Sequence, residues 1–210
     1  MSLKVKALIL VFLVGLLVTL RLFQGNNFQI LNYLVLDWLE QSNASNIAYG
    51  SSTIANYRFS SSPCGPWLQR GLSNATISDF LSYVTWQPKN ERIKNVVVYL
   101  GENDLAENQA LNDVVANYGE LIDKLVGLYE NASIHILGLK FSPARKEFWS
   151  EFSMLDAYIR DVSVKKSNIH YHSLQMLNSI SDKVFLPDGI HLNQAGYSII
   201  FSGVNSECRS

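Results

Sequence analysis

The chain of 210 residues carries 17 basic and 18 acidic side chains, 48% apolar residues and only 5 prolines. That excludes a disordered tail, a collagen-like rod or a multidomain assembly, and fits one ordered domain with a short appendage. A net charge of −1 supplies no field to draw the chain onto nucleic acid, while the low charged fraction and slightly positive mean hydropathy of +0.06 place some apolar sequence outside a water-soluble fold.

That sequence comes first. Ala7 to Leu20 (ALILVFLVGLLVTL) holds no charge and is closed by Arg21. As a helix it covers about 21 Å, short of a hydrocarbon core of about 30 Å. Snorkelling by Lys6 and Arg21, with Leu3 to Phe23 counted, brings it near spanning length. Residues 1–23 therefore read as an N-terminal membrane anchor. A cleaved signal segment is the alternative, disfavoured because Arg21 to Gly25 offers no A-x-A pattern, and a buried helix is a third. The basic residues ahead of the apolar run place the domain on the extracytoplasmic side, periplasmic or luminal, or secreted after cleavage.

Residues 24–45 read as an apolar linker helix, with Ile30, Leu31, Leu34, Leu36, Trp38 and Leu39 packing on the domain or near a membrane surface. Strand patterning then begins, at Asn46–Tyr49, Leu68–Leu72, Asn95–Leu100 (NVVVYL), Ser133–Leu139 (SIHILGL) and Ile169–Leu174. Helical stretches separate the strands, at Ser78–Val84, Asn112–Tyr129, Phe148–Val162 and Gln194 to about Phe201. Alternation of this kind predicts βαβ units and a mostly parallel five-stranded sheet covered on both faces, over a domain spanning 46–210. Cys64 and Cys208 are the only cysteines; an exported domain permits a bridge between them, and two free buried thiols are the alternative.

Polar residues gather just after the strands: Gly50-Ser51-Ser52, then Asn74, then Gly101-Glu102-Asn103-Asp104, and last Asp188-Gly189-Ile190-His191. Sites of open parallel sheets form outside the carboxyl ends of the strands. A serine on a tight strand-to-helix turn suits a nucleophile. His191 is then the base that reaches its hydroxyl, and Asp188 the carboxylate that fixes the imidazole tautomer. The backbone N–H groups of Ser52 and Asn74, with the Asn103 side-chain amide, can meet an oxyanion. Singly each has a plainer reading: Ser52 as a helix N-cap, Asn103 as a turn or cap residue, Asp188-Gly189 as a turn dipeptide.

At these residues the sequence resembles the SGNH, or GDSL-like, hydrolases. IAYGSSTI resembles the nucleophile block, QRGLSNAT the NRG-x-GG block, GENDL the G-x-N-D block and LPDGIHLNQAGY the closing D-x-x-H block; Ser142-Pro143-Ala144-Arg145 is similar to a segment of the GSSS-type subgroup. The resemblance runs from about Asn46 to Ser202. It implies a three-layer α/β/α sandwich with a flavodoxin-like sheet, and ester chemistry with no metal or organic cofactor. By position it makes Ser52 the nucleophile, His191 the general base and then acid, Asp188 the orienting carboxylate, and Asn103 and the Ser52 N–H oxyanion donors. Four positions depart from the pattern. Gln69 replaces the usual Asn, Ser73 and Asn74 stand where glycines are usual, and Ser51 replaces the Asp of GDS. Asn74 also lies in a sequon, and a glycan there would cover the site.

The remaining histidines read as structural. His135 sits between apolar neighbours, and His170 and His172 share a strand face like a ligand pair without an evident third ligand. Phe148, Trp149, Phe152, Leu155 and Ile159 form a core stripe at helical spacing. Arg145 either binds an anionic substrate group or pairs with a carboxylate. The expected protein is an extracytoplasmic ester hydrolase for a small-molecule or glycan ester, tethered through its N-terminal helix. Acetyl transfer to or from a glycan, and a catalytically silent envelope binding module on the same scaffold, are the alternatives.

Overall fold

The computed structural model describes residues 25–39, 43–59, 62 and 64–207, with four isolated helical positions (Leu13, Gly15, Leu16, Thr19) in the leading segment. Most of the expected anchor, and Cys208, lie outside the described residues. Among the described residues no helix is long and apolar enough to cross a membrane.

Five strands, β1 (Asn46–Gly50), β2 (Trp67–Gly71), β3 (Asn95–Tyr99), β4 (Ser133–Leu137) and β5 (Ile169–His172), form one sheet in the order β2-β1-β3-β4-β5. Every pairing is parallel. Alternate residues feed two cores. Ile47, Tyr49, Val96, Val98, Ile134 and Ile136 face one, while Ala48, Val97, Tyr99 and Leu137 face the other. Burial on both faces is why these strands read as continuous apolar runs, as parallel sheets require.

The helices are α1 (Asn27–Leu39), α2 (Ser52–Ala55), α3 (Ile77–Trp86), α4 (Glu102–Ala106), α5 (Leu111–Leu128), α6 (Trp149–Val164), α7 (Ser181–Val184), α8 (Gln194–Ile200) and α9 (Ser202–Glu207). Helix α5 buries Val114, Tyr118, Leu121, Ile122 and Leu125, one stripe at helical spacing. Helix α6 buries Phe152, Leu155 and Ile159, so the aromatic stripe is core as expected. Helices α3, α5 and α6 pack with the first core, while α8 and α9 pack with the second.

Helix α1 docks on the domain. Ile30 is buried, Tyr33 OH donates to Gly71 O at 3.2 Å and Trp38 Nε1 to Trp86 O at 3.2 Å. Its Asp37 carboxylate is almost fully buried and accepts from the Arg70 guanidinium, the Tyr83 hydroxyl and, at 3.1 Å, Gln87 Nε2. Burying a carboxylate is tolerable only with such partners. Of the two placements open to this helix, packing on the domain is the one observed.

Candidate active site

The four polar segments meet at the carboxyl edge of the sheet, joined by hydrogen bonds. Ser51 N donates to Tyr99 O (3.1 Å) and Leu72 N to Gly50 O (2.9 Å). Asn103 Nδ2 donates to Ala75 O at 3.0 Å, and Ala144 N to Gly189 O at 3.1 Å. These contacts tie the loops after β1, β2, β3 and β4 to the loop carrying Asp188 and His191.

Ser52 opens α2 directly after β1. The turn is tight because Gly50 leaves no room for a side chain: a Cβ there would lie 2.4 Å from Ile54 Cγ1 and 2.5 Å from Tyr99 O. Gln69, the departure from the family's Asn, holds the other end of α2. Its Nε2 faces the carbonyls of Ile54, Ala55 and Tyr57 at 2.6, 2.9 and 2.9 Å, placing a donor among the carbonyls at the end of this four-residue helix. The Ser52 side chain is half-buried, and its N–H, at the open start of the helix, has no protein acceptor among the described residues.

The Asp188–His191 pair is formed. His191 Nδ1–H donates to Asp188 Oδ2 at 2.6 Å, while Asp188 Oδ1 accepts the backbone N–H groups of Ile190 (2.9 Å) and His191 (3.0 Å). The hydrogen bond from His191, and then those from the two backbone N–H groups, hold the Asp188 carboxyl well below the usual carboxylate range. With Nδ1 occupied, the remaining imidazole nitrogen, Nε2, is the basic one. No hydrogen bond between Ser52 and His191 is present among the described residues.

Asn74 has φ of 57°. The residue standing where the family has glycine thus takes the left-handed conformation, which Asn tolerates better than most side chains. Its N–H, like that of Ser52, has no protein acceptor among the described residues. Asn103 is pinned from both ends: Nδ2 donates to Ala75 O, and Oδ1 accepts from Arg145 Nη1 at 3.0 Å. One amide N–H is left over.

Arg145 therefore faces protein. Its Nη1 also lies 3.1 Å from Glu102 Oε1, the carboxylate pairing that was one of its two expected roles. Glu102 was not legible as a site residue. It is fully buried and accepts from Lys140 Nζ, from Ser142 Oγ at 2.7 Å and from Tyr99 OH at 2.7 Å. Burial alone would raise its carboxyl, but Lys140 and Arg145 outweigh that and hold it low. The result is an ionised, fully bonded anchor beneath Asn103. Gly101, with φ of 102°, turns the chain from β3 into α4, a conformation open chiefly to glycine.

An open groove of about 670 Å³ is lined by Tyr57, Arg58, Leu186, Tyr197 and Leu192, the residue that follows His191 in the chain. Tyr57 stacks on Phe201 at 3.8 Å, so the wall is fixed.

Away from this edge, His135, His172 and Glu207 form a cluster of donor atoms, and His170 Nδ1 lies 3.1 Å from the same carboxylate, neighbours that strand alternation alone did not reveal. Burial, with the two neighbouring imidazoles, pushes His135 down to about 3. Cys64 is in a disulfide.

The chain has the SGNH/GDSL-like hydrolase fold. No protein-family model matches it, and no curated protein does. Among solved structures it is similar to a Streptococcus pneumonia protein named for platelet activating factor, at TM-score 0.77 and 14% identity over 93% of this chain and 98% of the other. A GDSL-like lipase from Bacteroides thetaiotaomicron superposes at TM-score 0.64 with 16% identity, over 86% and 97% of the two chains. A family 3 carbohydrate esterase from Clostridium thermocellum does so at TM-score 0.59 with 15% identity, over 79% and 98%.

Proposed function

We propose that the protein is a serine ester hydrolase of the SGNH type, working outside the cytoplasm. The observation that carries the reading is the 2.6 Å bond from His191 Nδ1 to Asp188, which commits the imidazole to one tautomer on the edge where Ser52 opens α2. Ser52 Oγ attacks the acyl carbonyl as His191 Nε2 takes its proton. The N–H groups of Ser52 and Asn74 and the spare N–H of Asn103 receive the oxyanion. His191 returns the proton to the leaving alcohol, and a water molecule, activated by the same imidazole, releases the acid. The disulfide at Cys64 supports the compartment, since disulfides persist where thiols are not kept reduced. Tethering by residues 1–23 rests on the sequence alone.

Asn56, Arg58, Asn193, Gln194 and Ser198 give the groove lined by Leu192 a polar lining, and Tyr57 and Tyr197 supply aromatic faces. That lining favours a short acyl group on a polar, sugar-like alcohol over a long lipid chain, and agrees with the carbohydrate esterase among the structural neighbours. Acetyl transfer to a second glycan would use the same residues.

The test is labelling of the folded protein with a fluorophosphonate probe, alongside turnover of p-nitrophenyl acetate and an acetylated xylo-oligosaccharide. Wild type should label and turn over, and Ser52→Ala should do neither while melting at the same temperature. A folded wild type that neither labels nor hydrolyses any of these esters overturns the reading in favour of a silent binding module.

A further inference from the structure

Three imidazoles and a carboxylate converge where α9 crosses the β4–β5 edge, on elements that contribute nothing to the ester-hydrolysing site. His135 Nδ1 lies 3.1 Å from His172 Nε2 and 3.5 Å from Glu207 Oε2, and His172 Nε2 lies 4.0 Å from Glu207 Oε1. Donors of a tetrahedral zinc ion, each about 2.1 Å from the metal, stand roughly 3.4 Å apart. The three observed separations, two of them to different oxygens of the one Glu207 carboxylate, bracket that value. We propose that His135, His172 and Glu207 form a binding site for a divalent transition-metal ion, zinc by its donor set, that fastens the C-terminal helix to the edge of the sheet.

Two further features are those of a built site. Two of the three metal-binding groups, His135 and Glu207, are oriented from behind, as outer partners orient the ligands of known metal sites. His135 Nε2 faces Asn95 Oδ1 at 3.4 Å. Asn95 has its own amide fixed, because its Nδ2 donates to Asn46 Oδ1 at 2.7 Å. Oδ1 must then accept, His135 carries its proton on Nε2, and Nδ1 is left bare toward the cluster. His170 Nδ1 lies 3.1 Å from Glu207 Oε2 and steadies the carboxylate. The second feature is steric. A Cβ on Gly203 would lie 2.6 Å from His172 Nδ1, so only glycine lets α9 approach closely enough to bring Glu207 over the imidazoles. A donor set of two imidazoles and one carboxylate leaves a fourth position for water, and it suits zinc better than calcium or magnesium, which prefer all-oxygen shells.

The purified full chain, stripped with chelator and dialysed, should take up one Zn2+ in a calorimetric titration and melt at a higher temperature with the ion than without. Co2+ in its place should give the visible absorption of a four-coordinate site. Glu207→Gln removes a donor at a half-exposed position and should weaken Zn2+ binding about a hundredfold; His170→Asn should weaken it about tenfold. His191→Ala should bind as wild type does, which separates this site from the exposed Asp188–His191 pair. Circular dichroism confirms that each variant is folded. A folded wild type that takes up no Zn2+ or Co2+, a Glu207→Gln that binds like wild type, or loss of binding in His191→Ala would each overturn the proposal.

Discussion

Asp188→Asn is the sharpest test of the ester mechanism, because the geometry dictates which way the new amide must point. Asp188 Oδ1 accepts two backbone N–H groups, at 2.9 and 3.0 Å. An amide nitrogen cannot replace it there without setting donors against donors, so the Asn oxygen keeps that place. Its NH2 is then forced opposite His191 Nδ1, which stands 2.6 Å from Oδ2 in the native pair. The imidazole must now accept at Nδ1 and carry its proton on Nε2, where it can no longer take a proton from Ser52. A wrongly held tautomer of this kind costs about ten-thousandfold in kcat in the serine-protease triad, or about 5 kcal/mol of transition-state stabilisation. The assay is steady-state hydrolysis of p-nitrophenyl acetate at neutral pH, with thermal melting as a control. The pair is exposed, and Asn preserves its backbone contacts, so the melting temperature should hold. Retention of more than a tenth of wild-type kcat in a folded Asp188→Asn protein would refute the reasoning.

Asn103→Ala should lower kcat by about a hundred- to a thousandfold with little change in KM, as loss of an oxyanion donor does; a change confined to KM would show that the amide serves binding. Burial raises Asp104 from 3.8 to about 6, so the folded state holds this proton more tightly than the unfolded chain. Its contribution is therefore fully present below about pH 4 and lost as pH rises through about 6, a cost of about 3 kcal/mol at neutral pH. Asp104→Asn retains an acceptor for the Ile77 N–H, bonded at 2.9 Å. The variant should flatten that part of the stability profile in urea unfolding between pH 4 and 8, and an unchanged slope would exclude Asp104 as its source. With φ of 57° at position 74, Asn74→Gly should be close to neutral, whereas Asn74→Ala should cost about 1 kcal/mol, read from the same unfolding curves.

Much of this architecture was legible because parallel strands leave a strong local imprint. Asn95–Tyr99 and Ser133–Leu137 are buried on both faces, and the observed bounds fall within a residue or two of the patterned runs. The four-residue α2 and five-residue α4 are too short to show a period, yet the tight turn at Gly50-Ser51-Ser52 still disclosed where Ser52 would stand. Glu102 marks the limit of local reading. Within GENDL it looks like a solvated carboxylate, and its burial depends on Lys140, Ser142 and Arg145 from beyond β4. The neighbours of His170 and His172 were hidden for the same reason, since His135 and Glu207 reach them only through sheet register and the final helix. Gln69, noted as a departure from the family pattern, holds the far end of the helix that bears Ser52, a role no spacing rule predicts.

Asp37 bears on where the folding unit begins. The first strand and every family-like motif lie after it, so by motif alone trimming the chain to residue 45 discards only a spacer. Such a truncation would instead strip Arg70, 8% exposed, of its carboxylate partner and leave the Tyr83 hydroxyl and Gln87 amide facing a void. Loss of one member of a buried ion pair costs about 3–5 kcal/mol, a large share of the stability of a domain this size. The smallest fragment that folds well therefore starts near Asn26, whose own amide donates to Asp79 at 3.0 Å.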